Sequence, residues 1–144
     1  MAALPLPTAP AVGTATTGSR ISPSHRYRMI VYHELLAEAY LLVLAADPTP
    51  GPVPEAELAA QLRHAVRSDK RAVWVDCRLL PTLSRPAARL LWACHHRLRR
   101  RHARLVLCRV SAPLAEALAA AKSGPATELC QVLSLDEAVA QLRD

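Results

Sequence analysis

From residue 71 onward the chain alternates between short apolar runs and longer segments that carry a helical stripe. "RAVWVDC" (71–77), "ARLVLCRV" (103–110) and "ELCQVL" (128–133) are the short runs. Helical spacing of apolar residues marks about 85–101, then "SAPLAEALAAAK" (111–122) and "SLDEAVAQL" (134–142). A parallel strand pair needs a crossover of about a dozen residues or more, usually a helix, so this alternation constrains the fold to helices on a sheet. Upstream, "MIVYH" (29–33) and "AYLLVLA" (39–45) read as strands joined by "ELLAE" as a hairpin. "DPTPGPVPE" (47–55) can continue neither element, and a helix follows at about 55–67. The predicted order is ββαβαβαβα: a single α/β domain with a mixed, mostly parallel five-stranded sheet and four helices.

Residues 1–27, rich in Pro, Ala, Thr and Ser without apolar periodicity, read as a flexible leader before a domain at 28–144. At 144 residues there is room for one core, and with no Phe it must be built from Leu, Val and Ala. No run approaches the roughly 18–20 apolar residues of a membrane helix, and no secretion signal opens the chain, so a cytoplasmic protein is expected. The four cysteines, Cys77, Cys94, Cys108 and Cys130, lack paired metal-ligand spacing and read as small core hydrophobes.

Catalytic signatures are missing. No G-x-S-x-G elbow surrounds a serine, and four glycines, none in a phosphate-binding pattern, make no cradle. Asp76, at the end of a strand without companion acids, reads as a loop hydrogen-bonder. The run "CHHRLRRRHAR" (94–104) raises metal and nucleic acid together. His95 and His96 would point about 100° apart on a helix, which does not make one metal site. No aromatic residue is interleaved with the arginines to stack bases, so nucleic-acid binding, which the net charge of +6 invites, stays a third reading. Cations at a helix carboxyl end answer the dipole and account for the run without a ligand. No enzyme, cofactor or metal is expected.

Ser111 is placed to cap the third helix, and Ser134 with Glu137 forms a capping-box pattern before the last. On a wheel, Ala87, Leu90, Leu91, Cys94 and Leu98 share the stripe that must face the sheet. Trp92 falls on the opposite side, with Arg85, Arg89, His96 and Arg99. An exposed aromatic ringed by arginines would make a binding hot spot, unless the leader covers it or an arginine stacks on it.

From its third strand the chain resembles a STAS domain, the family of anti-sigma factor antagonists and sulfate-transporter tails. The resemblance rests on "VWVD" (73–76) for the strand and its acid, "LSRP" (83–86) where the family has Asp-Ser-Ser-Gly, "ARLLWACHHRLRRRHARLVLCRVS" (88–111) for the next helix and strand, and "SLDEAVAQL" for the terminal helix. It covers 28–144 and is best over 72–143. It implies a non-enzymatic interaction module that binds a protein of the anti-sigma factor or histidine-kinase-like ATPase class, with a homodimer as a possible state and no membrane. Ser84 then stands at the phospho-acceptor position, at a helix start where phosphate meets free amides. Leu83, Arg85 and Pro86 replace the family's Asp, Ser and Gly, which makes a phosphorylation-independent variant credible. The plainer reading of Ser84, ahead of phosphorylation, is an N-cap, and one hydroxyl can serve both ends. The expected partner surface is Leu83, Arg85, Pro86, Arg89, Trp92 and His96. The alternative is a small-ligand or nucleotide-binding domain on the same fold, with Arg78, Arg85 and Arg89 holding an anion.

Overall fold

The computed structural model describes residues 28–47, 55–122 and 129–143. Five strands and four helices follow in the predicted order: β1 Arg28–Leu35, β2 Ala39–Asp47, α1 Ala56–Arg67, β3 Ala72–Leu79, α2 Arg85–Arg100, β4 Arg104–Cys108, α3 Ala112–Ala121, β5 Cys130–Val132 and α4 Leu135–Arg143. The strands lie in the order β1-β2-β3-β4-β5. β1 and β2 form the antiparallel hairpin, with Tyr32 opposite Val43, and the remaining pairs are parallel. The leader assigned to 1–27 lies outside the described residues, as does Glu128 of the fifth predicted strand.

Alternation along the central strands sets two unequal layers. Val73, Val75 and Cys77 of β3, with Leu105 and Leu107 of β4, face α1, α2 and α3 in the larger core. Leu58, Leu62, Leu91, Leu98, Leu114 and Leu118 supply the helical side of that layer. On the other face Trp74, Val106, Cys108 and Val132 pack against Ala138 of α4, with Leu135, Val139 and Leu142 beside them. Leucine and valine therefore fill the interior that the missing phenylalanines leave.

The element ends show how local chemistry stops each segment. α4 is capped by Ser134, whose Oγ accepts from Glu137 N at 3.2 Å. Glu137 completes the reciprocal contact one residue further out than a standard capping box, accepting from Leu133 N at 2.7 Å. Ser111 occupies the cap position of α3, but its side chain makes no capping hydrogen bond. β4 stops short of its predicted end because Arg109 turns into the left-handed region at φ 58°. α1 is closed from outside: Arg101, just past α2, donates to the carbonyls of Val66 at 3.1 Å and Ala65 at 3.4 Å, and to that of Lys70, beyond the helix, at 2.9 Å. One guanidinium thus ties the last turn of α1 to the connection that leads into β3.

All four cysteines are free thiols, and Cys77, Cys94 and Cys108 are buried. Desolvation pushes the Cys77 and Cys94 thiols up to about 12 and Cys108 to about 11, so they are held as neutral core groups.

Candidate functional site

The carboxyl end of β3 leads through Leu80–Ser84 into α2. Leu80 and Leu83 are both buried and peg this loop to the core, leaving Pro81 and Thr82 exposed between them. Leu80 N donates to Cys77 O at 3.1 Å, which tightens the exit from the strand. Ser84 has extended backbone (φ −71°, ψ 159°) and is the N-cap of α2. Its Oγ accepts from Ala87 N at 3.2 Å. Pro86, in the first turn, carries no N–H and so removes one of the amides that would otherwise lack a partner.

The same hydroxyl donates to the carboxylate of Glu55, Oε2, at 2.8 Å. Glu55 stands at the start of α1, 29 residues away in sequence. Ser84 is therefore half-buried and doubly engaged, its proton on an acid and its lone pair on an amide. A phosphate on this oxygen could not keep the donated hydrogen bond, and it would place about two negative charges beside a carboxylate. Nothing in the run around Ser84 announces this acid.

Trp92 does not lie where the wheel places it. It is only 6% exposed, and its Nε1–H donates to Leu118 O at 2.8 Å. The indole stacks on His96 (centroids 6.1 Å apart, planes at 27°) and meets His95 edge-on at 5.8 Å. The correction has a simple cause. A stripe facing the sheet is one buried surface, but α2 also has α1 on one flank and α3 on the other. Its buried arc therefore takes in Ala88, Trp92 and His95 besides the expected Ala87, Leu91, Cys94 and Leu98. Leu90, assigned to the same stripe, is half-buried. Leu83, expected on the partner surface, is likewise buried. Of the residues assigned to that surface, Arg85, Pro86 and Arg89 are exposed and His96 is half-buried against the indole.

The three arginines of the anion-binding alternative do not share a cleft. Arg78 lines one of about 260 Å³ with Asp76, Arg109, Ser134, Leu135 and Asp136, and neither Arg85 nor Arg89 lines it. Asp76 is buried, and its Oδ1 accepts from Arg78 N at 3.0 Å; the bond is local as expected, but it lies within β3, which runs on to Leu79, and not in a loop. Among the described residues no cluster of three His, Cys, Asp or Glu side chains could hold a metal. Nor is any described helix long and apolar enough to cross a membrane.

A five-stranded sheet of this order, with the loop after β3 opening a capped helix, defines the class: the chain has the STAS fold of the anti-sigma factor antagonists. No family model matches the sequence, and no curated protein matches it. Solved structures carry the likeness. RsbS from Moorella thermoacetica, as a serine-to-glutamate variant, superposes with a TM-score of 0.63 at 12% identity, covering 78% of this chain and 94% of that one. The anti-sigma factor antagonist SpoIIAA in its unphosphorylated form gives 0.61 at 12% identity, covering 79% and 98%. An anti-sigma factor antagonist from Mycobacterium paratuberculosis gives 0.60 at 14% identity, covering 85% and 98%. The resemblance read from the sequence therefore holds for the architecture.

Proposed function

We propose that this protein is a non-enzymatic regulator that acts in the cytoplasm by binding an anti-sigma factor or a related ATPase-type kinase. Its contact surface is the exposed loop Pro81–Thr82, Ser84, and the outer residues Arg85, Pro86 and Arg89 at the start of α2, with His96 at its border. The observation that carries this reading is the placement of Ser84 as N-cap of α2 directly after β3, in a fold shared with three structures that include named antagonists. Arg85 and Arg89 give the surface a positive character suited to an acidic partner face.

Ser84 is the point at which such binding would be regulated. Its proton is held by Glu55, so phosphorylation would exchange an attractive contact for a repulsive one and shift the loop or the edge of α1. The test is incubation of the pure protein with candidate anti-sigma kinases and ATP, followed by binding measurements and mass spectrometry of the peptide holding Ser84. Binding that is weakened by Arg89→Glu supports the surface, with or without a phosphate on Ser84. Binding to no such partner, or binding indifferent to Arg85→Glu and Arg89→Glu together, overturns it.

A further inference from the structure

At the end of α2 remote from Ser84, the basic run 94–104 separates into residues with different work. Arg101 is committed to the carbonyls of Ala65, Val66 and Lys70. Arg97 lies along the α1–α2 seam with Leu62, Val66 and Cys94. Arg99, Arg104, His95 and His102 instead line a single cleft of about 390 Å³, completed by Ala103, Leu105 and Cys130. Among the described residues no carboxylate lines it. The cleft follows from register: β5 joins β4 only from Val106, opposite Cys130, so Arg104 and Leu105 run past its beginning.

Two further observations describe the groups on its wall. The first is the end of α2. Ala103 N bonds to Leu98 O at 2.9 Å and His102 N to Arg99 O at 3.1 Å, a Schellman ending. That motif puts His102 at φ 62°, where glycine is the usual residue and any Cβ is strained. A histidine kept at that position places an imidazole on the cleft wall. The second is His95, whose pKa is lowered from the usual 6.5 by burial first and then by the positive neighbours His96 and Arg99. His95 is therefore held neutral against the cleft, and the fixed charge there is that of Arg99 and Arg104.

We propose that this cleft binds a small phosphate-bearing anion, with the guanidinium groups of Arg99 and Arg104 as its main contacts and His102 as a further donor. Planar guanidinium forks match phosphate oxygens in pairs, and a cleft lined by two of them, with no carboxylate among the described lining residues, favours more than one negative charge. The cleft offers imidazoles but no tryptophan or tyrosine for stacking a base. Recognition therefore rests on the phosphates, as free pyrophosphate or as the diphosphate of a nucleotide. The cleft lies at the carboxyl end of the 16-residue α2, roughly 24 Å along the helix from Ser84, and meets the partner surface only at its border, where His96 lies 5.3 Å from the His95 ring.

The test is calorimetric titration of the full chain with sodium pyrophosphate, and separately with ADP, at fixed ionic strength. Saturable one-to-one binding of pyrophosphate is expected, with ADP of similar affinity if the base is not read and tighter if the nucleotide is the natural source. Arg99→Ala with Arg104→Ala should weaken binding roughly tenfold or more, from the loss of two charge-assisted contacts. Arg63→Ala with Arg67→Ala, which removes equal charge from exposed positions on α1, should leave it unchanged. His102→Gly should raise the melting temperature while lowering affinity, a split that a purely structural role would not give. Equal weakening by both arginine pairs would reduce the site to general charge attraction and overturn the proposal. So would absence of saturable binding.

Discussion

Replacing Trp92 distinguishes an interior anchor from a surface hot spot. The indole is 6% exposed, and its N–H is the donor to Leu118 O. Truncation to alanine removes nearly the whole buried ring, for which large-to-small core changes cost about 3–5 kcal/mol. It also leaves the Leu118 carbonyl without its donor, a further loss of about 1 kcal/mol. Domains of this size are stable by only about 5–15 kcal/mol, so the variant should be near the edge of folding. With a urea dependence of about 1–3 kcal/mol per molar, the midpoint should fall by more than about 1 M. Trp92→Phe keeps most of the apolar volume and loses the hydrogen bond, so its cost should be about 1–2 kcal/mol. The assay is urea unfolding followed by far-ultraviolet circular dichroism, with partner binding measured where each variant is folded. A Trp92→Ala midpoint within about 0.3 M of the parent, or unchanged stability with lost association, would refute the packing argument and restore the indole to the surface.

Other expectations follow from single contacts. Ser84→Ala should lower stability by about 0.5–2 kcal/mol through loss of the cap, and Ser84→Asn, which can still accept from the helix amide, should recover part of this in thermal melts. Arg101→Ala removes two hydrogen bonds to the α1 carboxyl end and one to Lys70 O and should cost about 1–3 kcal/mol, with Arg101→Lys a poor substitute because an ammonium cannot span the three carbonyls; urea midpoints check both. His95 is more acidic in the folded chain than its usual 6.5, because burial disfavours the cation. The unfolded chain therefore binds the extra proton first. Its contribution to stability should be intact above about pH 6.5 and be lost as pH falls from there through the folded value, and His95→Gln should flatten that part of the stability profile.

The legible parts of this protein were those written within single segments. "RAVWVDC" and "ARLVLCRV" announce β3 and β4 by their apolar runs, and Ser134 and Glu137 lie close enough in sequence to predict the start of α4. Asp76 was readable as a local hydrogen-bonder because its partner is two residues away, although β3 runs past both of them. Ser84 was readable as a cap for the same reason, with Ala87 three residues on. Segment ends were less legible. β4 and β5 stop early, the first where Arg109 takes a left-handed turn that its composition does not signal.

What lay beyond the sequence were meetings between segments. A helical wheel orders the residues around α2, but it does not say how many neighbours the helix will have, and α3 is what encloses Trp92. The acid that holds Ser84 comes from the start of α1, with all of α1 and β3 between them in sequence, and the basic cleft depends on where β5 enters alongside β4. Periodicity and capping are properties of a stretch of chain and fix which elements form and in what order. Burial, shared clefts and charge neighbours belong to pairs of elements, whose approach is decided only when all the layers pack at once.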